Sequence, residues 1–209
     1  MKIVKLFTPF VVLFALSLSS CTKEDNPNTI STNSELSTAE LEMLSHMMEE
    51  EKLAYDVYVT LYTMYETPIF NNISKSEQTH MDAVKALFEK YAIENTASTT
   101  FGVFNHPDFQ ALYDALIASG SQSLTEALKV GATIEDVDIY DLDDYISKTE
   151  NADIISVFEF LNCGSFNHLR GFINQLELQN AEYSPQYIST ERFDEILNAG
   201  HSPCSSYTL

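Results

Sequence analysis

The chain has 209 residues, of which 31 are acidic and 11 are basic, so its formal net charge at pH 7 is −20. This balance excludes nucleic-acid binding as a main activity, because affinity for a phosphate backbone comes from neutralising it with Lys and Arg. It also disfavours docking on anionic lipid through a basic patch. With 44% hydrophobic and 11% aromatic residues, the chain can bury a core and is not a disordered acidic tail. Its length suits one domain with a tail.

The first twenty residues have the form of an export signal. Residues 1–5 contain two Lys, and residues 6–18 are almost wholly apolar but too short to span a membrane as a helix. Small residues precede Cys21, which resembles a bacterial lipobox, where the peptide is cut before the cysteine and the thiol is lipidated. We therefore predict a lipoprotein signal peptide over 1–20 and an exported protein that is lipid-anchored at Cys21, in the periplasm or at the cell surface. A plain secretory signal followed by an odd cysteine is the alternative.

The mature chain is predicted to begin with a tether. Residues 21–36 are polar and lack apolar periodicity, which is typical of a flexible linker. Two cysteines remain beyond it, Cys163 and Cys204. An oxidising compartment would allow them to pair, but the sequence does not say whether their geometry permits a disulfide.

Helical periodicity runs through most of the remaining chain. Ser37 and Glu40 have the form of a capping box at the start of the first helix. Apolar side chains at helical spacing then predict four long helices and two short ones. The predicted helices cover residues 37–65, 74–91, 107–118, 123–146, 152–179 and 191–199.

This pattern predicts an all-α fold. Four long amphipathic helices favour a four-helix bundle over residues 37–180, with a long, helix-containing connection between its second and third helices. The remaining residues, 181–209, are predicted to form a C-terminal extension packed on the bundle.

Six ionisable side chains interrupt the apolar faces of the four long helices. They are Glu51, Glu77, His80, Glu135, Asp138 and His168. Burying an unpaired carboxylate is costly or forces it neutral, and Lys52 and Arg170 are predicted to point away from these faces. A divalent metal ion would compensate, because it neutralises two carboxylates while neutral imidazoles bind beside them. An internal hydrogen-bond network without metal is the alternative.

Glu77 and His80 are the most informative pair. Their spacing of three residues places both side chains on one turn, about 5–6 Å apart at Cβ, so both can reach one ion. The pattern E-x-x-H is common by chance. Here it lies within an apolar face and follows a helix whose own apolar face carries a single carboxylate, Glu51.

These residues carry a family resemblance. The segment EKLAYDVY (51–58), followed by SEQTHMDA (76–83), resembles the first half of a ferritin-like di-iron protein, in the pattern of bacterioferritins and rubrerythrins. The chain is more similar to an uncharacterised ferritin-like family of exported bacterial proteins that carries a domain of unknown function. That resemblance covers roughly residues 40–180. It rests on MEEEKLA (48–54), PIFNNI (68–73), GSQSL (120–124), ALKVG (127–131) and NHLR (167–170).

The resemblance implies a role for each of five side chains. Glu51 and Glu135 would be terminal carboxylate ligands, Glu77 the bridging carboxylate, and His80 and His168 the two imidazole ligands.

The chain departs from the superfamily pattern in its fourth long helix. The pattern places Glu three residues before the second His, and this chain has Ser165 there. We expect Asp138, one turn from Glu135, to replace the missing carboxylate as a ligand. A site with one well-held metal and one labile metal is the alternative.

The resemblance also implies a chemistry. The metal would be iron, with two ions, and manganese is the alternative because mixed oxygen and nitrogen ligands suit both. Such a site would handle iron oxidation or redox chemistry with O₂ or peroxide, which makes metal ions and a small oxidant the expected partners. The sequence has no four-cysteine iron site, so an external electron donor is expected. A non-catalytic lipoprotein that binds metal or a partner protein is the alternative.

Other polar side chains are predicted to lie outside the site. Glu50 borders the apolar arc and could exchange roles with Glu51, whereas Glu49 is predicted to face solvent. Tyr58 is predicted to line the core, where it could hydrogen-bond a ligand. The residues predicted at the surface are His46, His106, His201 and Asp141.

Overall fold

The structure, a computed structural model, describes residues 36–204 and is all-α over that range. It contains α1 (Thr38–Tyr65), α2 (Pro68–Tyr91), α3 (Pro107–Gly120), α4 (Leu124–Lys148), α5 (Ala152–Leu178) and α6 (Thr190–Ala199). The predicted all-α class is therefore confirmed for the described residues. Among these helices, none is long and apolar enough to cross a membrane. The predicted signal peptide, the lipidation site Cys21 and nearly all of the predicted tether lie outside the described residues.

The helix boundaries follow local sequence signals. At the start of α1, the Ser37 hydroxyl accepts a hydrogen bond from the backbone N–H of Glu40, and the Glu40 carboxylate accepts one from the backbone N–H of Ser37. This is the predicted capping box. The second long helix begins at Pro68 rather than at residue 74. A proline suits the first turn because its fixed φ is helical and its missing N–H would have no intrahelical partner there.

The four long helices contact one another in a closed order. α1 packs along α2, and α4 packs along α5, while α2 also contacts α5 and α1 also contacts α4. Each long helix therefore has two long neighbours. The short helix α3 packs against α1 and α4, and α6 packs against α5.

The core consists of two apolar clusters, each containing side chains from all four long helices. Members of the first are Leu61, Phe70, Leu128 and Phe172, and members of the second are Leu44, Phe88, Leu142 and Phe158. The chain passes from the second cluster to the first along α1 and α5, and in the reverse direction along α2 and α4. Contacting long helices are therefore antiparallel. The six residues predicted as ligands lie along the helices where one cluster gives way to the other, although on α4 the first cluster extends to Ile139.

The segment after α5 is held by one buried carboxylate. Asp136 on α4 is fully buried. It accepts hydrogen bonds from the Tyr183 hydroxyl and from the backbone N–H groups of Gln186, Tyr187 and Ile188. These bonds fasten an otherwise irregular segment against α4.

A disulfide joins Cys163 on α5 to Cys204 near the end of the described chain, with Cα atoms 5.7 Å apart. The pairing that the sequence left open is therefore made. It ties the C-terminal segment to α5 beside the predicted site, since Gly164 is in contact with His80.

Candidate metal centre

Five of the six predicted ligands form two groups that share Glu77. One group contains Glu51, Glu77 and His80, and the other contains Glu77, Glu135 and His168. Within each group, one ligand atom from every residue lies within 4.8 Å of the others. All five side chains are buried, and they come from α1, α2, α4 and α5.

Glu77 lies between the two imidazoles. Its Oε2 atom is 2.8 Å from Nδ1 of His80, and its Oε1 atom is 3.0 Å from Nδ1 of His168. Each of these nitrogens also faces a second carboxylate, with Nδ1 of His80 3.2 Å from Oε2 of Glu51 and Nδ1 of His168 3.2 Å from Oε2 of Glu135. Because a ring nitrogen carries at most one proton, it cannot satisfy two carboxylates at once.

The position of the His80 ring depends on a glycine. The two imidazole rings are 5.5 Å apart at their centroids, with their planes inclined by 29°. Gly164 lies against the ring of His80, and a Cβ atom at that position would be only 2.4 Å from Nε2 of His80. A side chain on α5 at this point would therefore push the imidazole out of its place.

A tyrosine orients the carboxylate of Glu135. The Tyr58 hydroxyl donates a hydrogen bond to Oε1 of Glu135 and lies 3.3 Å from the backbone carbonyl of Gly131. Tyr58 is fully buried. Burial and the adjacent Glu135 carboxylate raise the pKa of Tyr58 well above its usual range, so the hydroxyl stays protonated and acts as a donor.

Asp138 lies beside the two groups rather than within either of them. It accepts a hydrogen bond from the Ser165 hydroxyl across the α4–α5 contact. Burial raises the pKa of Asp138 to about 8, and the negative charge of Glu135 adds to the shift. Ser165 stands where the superfamily pattern has Glu. It is therefore hydrogen-bonded to the carboxylate that we expect to replace that Glu as a ligand. That Asp138 is a metal ligand stays a prediction.

The three carboxylates of the two groups differ in their affinity for protons. Burial raises the pKa of Glu51 well above its usual range and raises that of Glu135. Burial also acts to raise the pKa of Glu77, but His168 and His80 together outweigh it and hold that pKa well below its usual range. Glu77 is therefore the carboxylate most firmly kept ionised.

Both imidazoles hold protons tightly in the metal-free chain. Burial by itself lowers the pKa of a histidine, but in each case the facing carboxylates outweigh it. Glu51 and Glu77 raise the pKa of His80 well above its usual range, and Glu77 and Glu135 raise the pKa of His168 to about 10.

Cationic side chains do not compensate these carboxylates. Within residues 36–204, no Lys or Arg forms an ion pair with Glu51, Glu77, Glu135 or Asp138. Lys52 instead donates to Asp56, and the guanidinium of Arg170 donates to the backbone carbonyl of Ile196. As predicted, both basic side chains are directed away from these buried carboxylates.

Buried oxygen atoms remain without hydrogen bonds in this centre. In the described part of the chain, Oε1 of Glu51 and Oε1 of Glu77 are buried and have no hydrogen-bond partner. Oε1 of Glu77 lies 3.0 Å from Nδ1 of His168, a contact at ion-pair distance. Buried carboxylate oxygens left in this way cost free energy. A cation bound at each of these oxygens would remove that cost, so the donor set and the unpaired oxygens fit a metal centre.

One expectation about α1 is wrong. Glu49 does not face solvent but is 8% exposed, because it lines a cavity beside α3. Glu50 is also buried, and it groups with His46 and Asp141 rather than with Glu51. Glu50 follows His46 by four residues, which places both side chains on one face of α1. This spacing is the sequence signal that could have identified the group.

Comparisons with known proteins agree with one another. A family model described as "Uncharacterized protein domain (DUF2202)" matches residues 40–200. The uncharacterized protein MJ0754 of Methanocaldococcus jannaschii is 52% identical over 165 residues, which cover 78% of this chain and 89% of that protein. The crystal structure of hypothetical protein MJ0754 from Methanococcus jannaschii matches with a TM-score of 0.80 at 49% identity. That match covers 82% of this chain and 99% of that one.

Proposed function

The chain belongs to the DUF2202 family of uncharacterised domains, and from that premise we propose that it is a ferritin-like four-helix bundle holding a two-metal centre. The favoured metal is iron, used for iron oxidation or for redox chemistry with O₂ or peroxide. The bundle is supported by the contacts of α1, α2, α4 and α5, each with two long antiparallel neighbours. A polar layer between two apolar clusters is where such a bundle would hold metal.

One observation carries the proposal of two ions. Glu77 directs its two carboxylate oxygens at the Nδ1 atoms of His80 and His168, at 2.8 and 3.0 Å. For ligands about 2.1 Å from an ion, neighbouring atoms at right angles lie about 3.0 Å apart. Glu77 would therefore contribute one oxygen to each of two adjacent sites.

The remaining ligands divide between the two sites. His80 and Glu51 would hold one ion, and His168 and Glu135 would hold the other, with Asp138 as a further candidate. When bound, the iron ions would supply the electrons that reduce O₂ or peroxide. The chain itself would keep the site buried and balance its charge with carboxylates, while Tyr58 keeps Glu135 oriented through its hydrogen bond.

The compartment is part of the proposal. An exported, lipid-anchored protein would be exposed to oxidising surroundings, where disulfides persist. The pairing of Cys163 with Cys204 supports that location. Redox turnover would then draw on an external electron donor, because the three cysteines of the sequence cannot form a four-cysteine iron site to serve as a built-in donor.

Metal analysis tests the proposal. Purified protein loaded with Fe²⁺ is expected to hold two ions per chain in the buried centre, whereas Glu77→Gln is expected to lose most of this capacity. Glu126→Gln is the matched control, because Glu126 lies on the surface of α4 and pairs with Lys129. Equal iron content in all three proteins would overturn the two-metal centre.

Oxidation kinetics then test the chemistry. Iron-loaded wild-type protein is expected to consume O₂ or peroxide faster than free Fe²⁺ in the same buffer, and Glu77→Gln is expected to lose this acceleration. Bound metal without any acceleration would reject the catalytic function and leave the alternative, a non-catalytic metal-binding lipoprotein. If manganese rather than iron is retained at purification, the metal assignment changes and the ligand assignment stands.

A further inference from the structure

A second histidine and carboxylate group lies outside the buried centre. His46 and Glu50 on α1 and Asp141 on α4 bring one ligand atom each to within 4.8 Å of the others. All three line a cavity of about 830 Å³ that is also lined by residues of α3. None of the three is a ligand in the proposed two-metal centre.

The distances in this group suit a shared ion better than hydrogen bonds. Nε2 of His46 is 3.6 Å from Oε2 of Glu50 and 3.6 Å from Oδ2 of Asp141. A hydrogen bond at these atoms would be shorter than about 3.2 Å. Ligands bound tetrahedrally at about 2.1 Å from an ion are separated by about 3.4 Å. The distance from Nε2 of His46 to each carboxylate oxygen is therefore close to the distance expected between two ligands of one ion.

An unpaired buried oxygen independently points to a ligand here. Glu50 is 6% exposed. Its Oε2 atom is fully buried and, within residues 36–204, has no hydrogen-bond partner. This is the same atom that faces Nε2 of His46. A carboxylate oxygen kept from water and from hydrogen-bond donors is stabilised if it binds a cation.

The group combines a fixed histidine with access to solvent. The His46 ring lies against Phe109, with centroids 5.1 Å apart, and meets Tyr145 edge-on at 5.9 Å. These contacts restrict the orientation of the imidazole. The side chains of His46 and Asp141 remain 40% and 21% exposed, so an ion can reach them from the cavity.

We propose that His46, Glu50 and Asp141 form a separate site for one divalent transition-metal ion. One imidazole and two carboxylates suit Zn²⁺, Fe²⁺, Mn²⁺ or Co²⁺, and solvent in the cavity supplies the remaining ligands. The acidic lining raises the local concentration of cations, because Glu42, Glu49 and Asp108 also border the cavity. This site does not depend on the two-metal centre.

Zn²⁺ stoichiometry of the full chain tests the proposal. Equilibrium dialysis against Zn²⁺ alone would compare the wild type, His46→Ala, Asp141→Ala and the matched control His201→Ala. His201 is an exposed histidine that does not line this cavity. The expected result is that His46→Ala and Asp141→Ala each bind one Zn²⁺ fewer than the wild type, whereas His201→Ala binds the same number. Circular dichroism would establish that the variants are folded, and His46→Ala, at a half-exposed position, decides the outcome if Asp141→Ala does not fold.

The difference in Zn²⁺ stoichiometry between the variants distinguishes this proposal from that of the buried two-metal centre. If the buried centre takes no metal but this site does, the wild type binds one Zn²⁺ and His46→Ala binds none. If the buried centre binds metal and this site does not, His46→Ala matches His201→Ala in number and affinity. The second result would overturn the inference, whatever the total count.

Discussion

Tyr58 on α1 donates a hydrogen bond to Glu135 on α4, so a side chain from one helix orients a proposed ligand carried by another. Both residues are buried, and the bond joins two of the four helices that surround the polar layer. A ligand fixed in this way does not have to be ordered when a metal binds. The bond therefore links the packing of the helices to the properties of the centre.

Replacing Tyr58 with Phe should weaken both stability and metal binding. The change leaves a buried oxygen of Glu135 without its donor, which should lower the free energy of unfolding of the metal-free chain by about 1–3 kcal/mol. Loss of such an orienting partner should reduce metal affinity by about 10–100-fold. Urea unfolding and metal titration measure the two effects. Tyr62→Phe on the same helix is the control, since Tyr62 is 37% exposed, and identical results for both variants would contradict the assigned role.

Gly164→Ala should disturb the centre through His80. The new Cβ would lie 2.4 Å from Nε2 of His80. The imidazole must therefore move, and the metal affinity of the centre should fall. The matched control is Gly171→Ala on the same helix, whose Cβ would be 3.4 Å from Ile69. There the gain in helix propensity should dominate and stabilise the chain by about 0.5–1 kcal/mol. Thermal unfolding and metal content measure the contrast, which would be refuted if Gly164→Ala bound metal as tightly as the wild type.

Metal uptake should release protons. The pKa of His168 is raised to about 10 by Glu77 and Glu135, which outweigh the opposite effect of burial. This imidazole is therefore protonated at pH 7 in the metal-free chain, and it must lose the proton before its nitrogen can bind a metal. Affinity should accordingly rise with pH and level off above about 10 as this proton ceases to compete. Titration calorimetry in two buffers of different ionisation enthalpy counts the protons, and zero release at pH 7 would be inconsistent with His168 as a ligand.

Asp138 should contribute to metal binding if it replaces the carboxylate that is missing at Ser165. Asp138→Ala is then expected to lower the stoichiometry or the affinity for iron. Ser165→Ala is the informative comparison, because it removes the hydrogen bond to Asp138 and leaves its carboxylate in place. That variant should retain the metal while losing about 1–3 kcal/mol of stability. Unchanged stoichiometry and affinity in Asp138→Ala would remove Asp138 from the site.

Much of the fold and of the candidate centre follows from helical periodicity. The capping box at Ser37 marked the start of α1, and the rhythm of apolar residues predicted the other long helices, although α2 begins earlier than expected. The same rhythm identified Glu51 and Glu77 as acids on faces that should be apolar. An ionisable residue at a core position is a local feature of the sequence, so it can be found without knowing which helices meet.

By itself, the sequence determined most of the helical residues and identified six ionisable side chains on apolar faces, all of which are buried. It could do so because a period of 3.6 residues assigns each position to one face of its own helix. Only the tertiary structure decided which of these side chains meet. Glu77 meets His168 because α2 contacts α5, and His80 meets Glu51 because α2 contacts α1. Glu49 is buried because α3, a helix distant in sequence, packs on α1. His46 and Asp141 come together for a similar reason, on α1 and α4. Contacts between helices depend on how whole faces pack, which no single helix encodes.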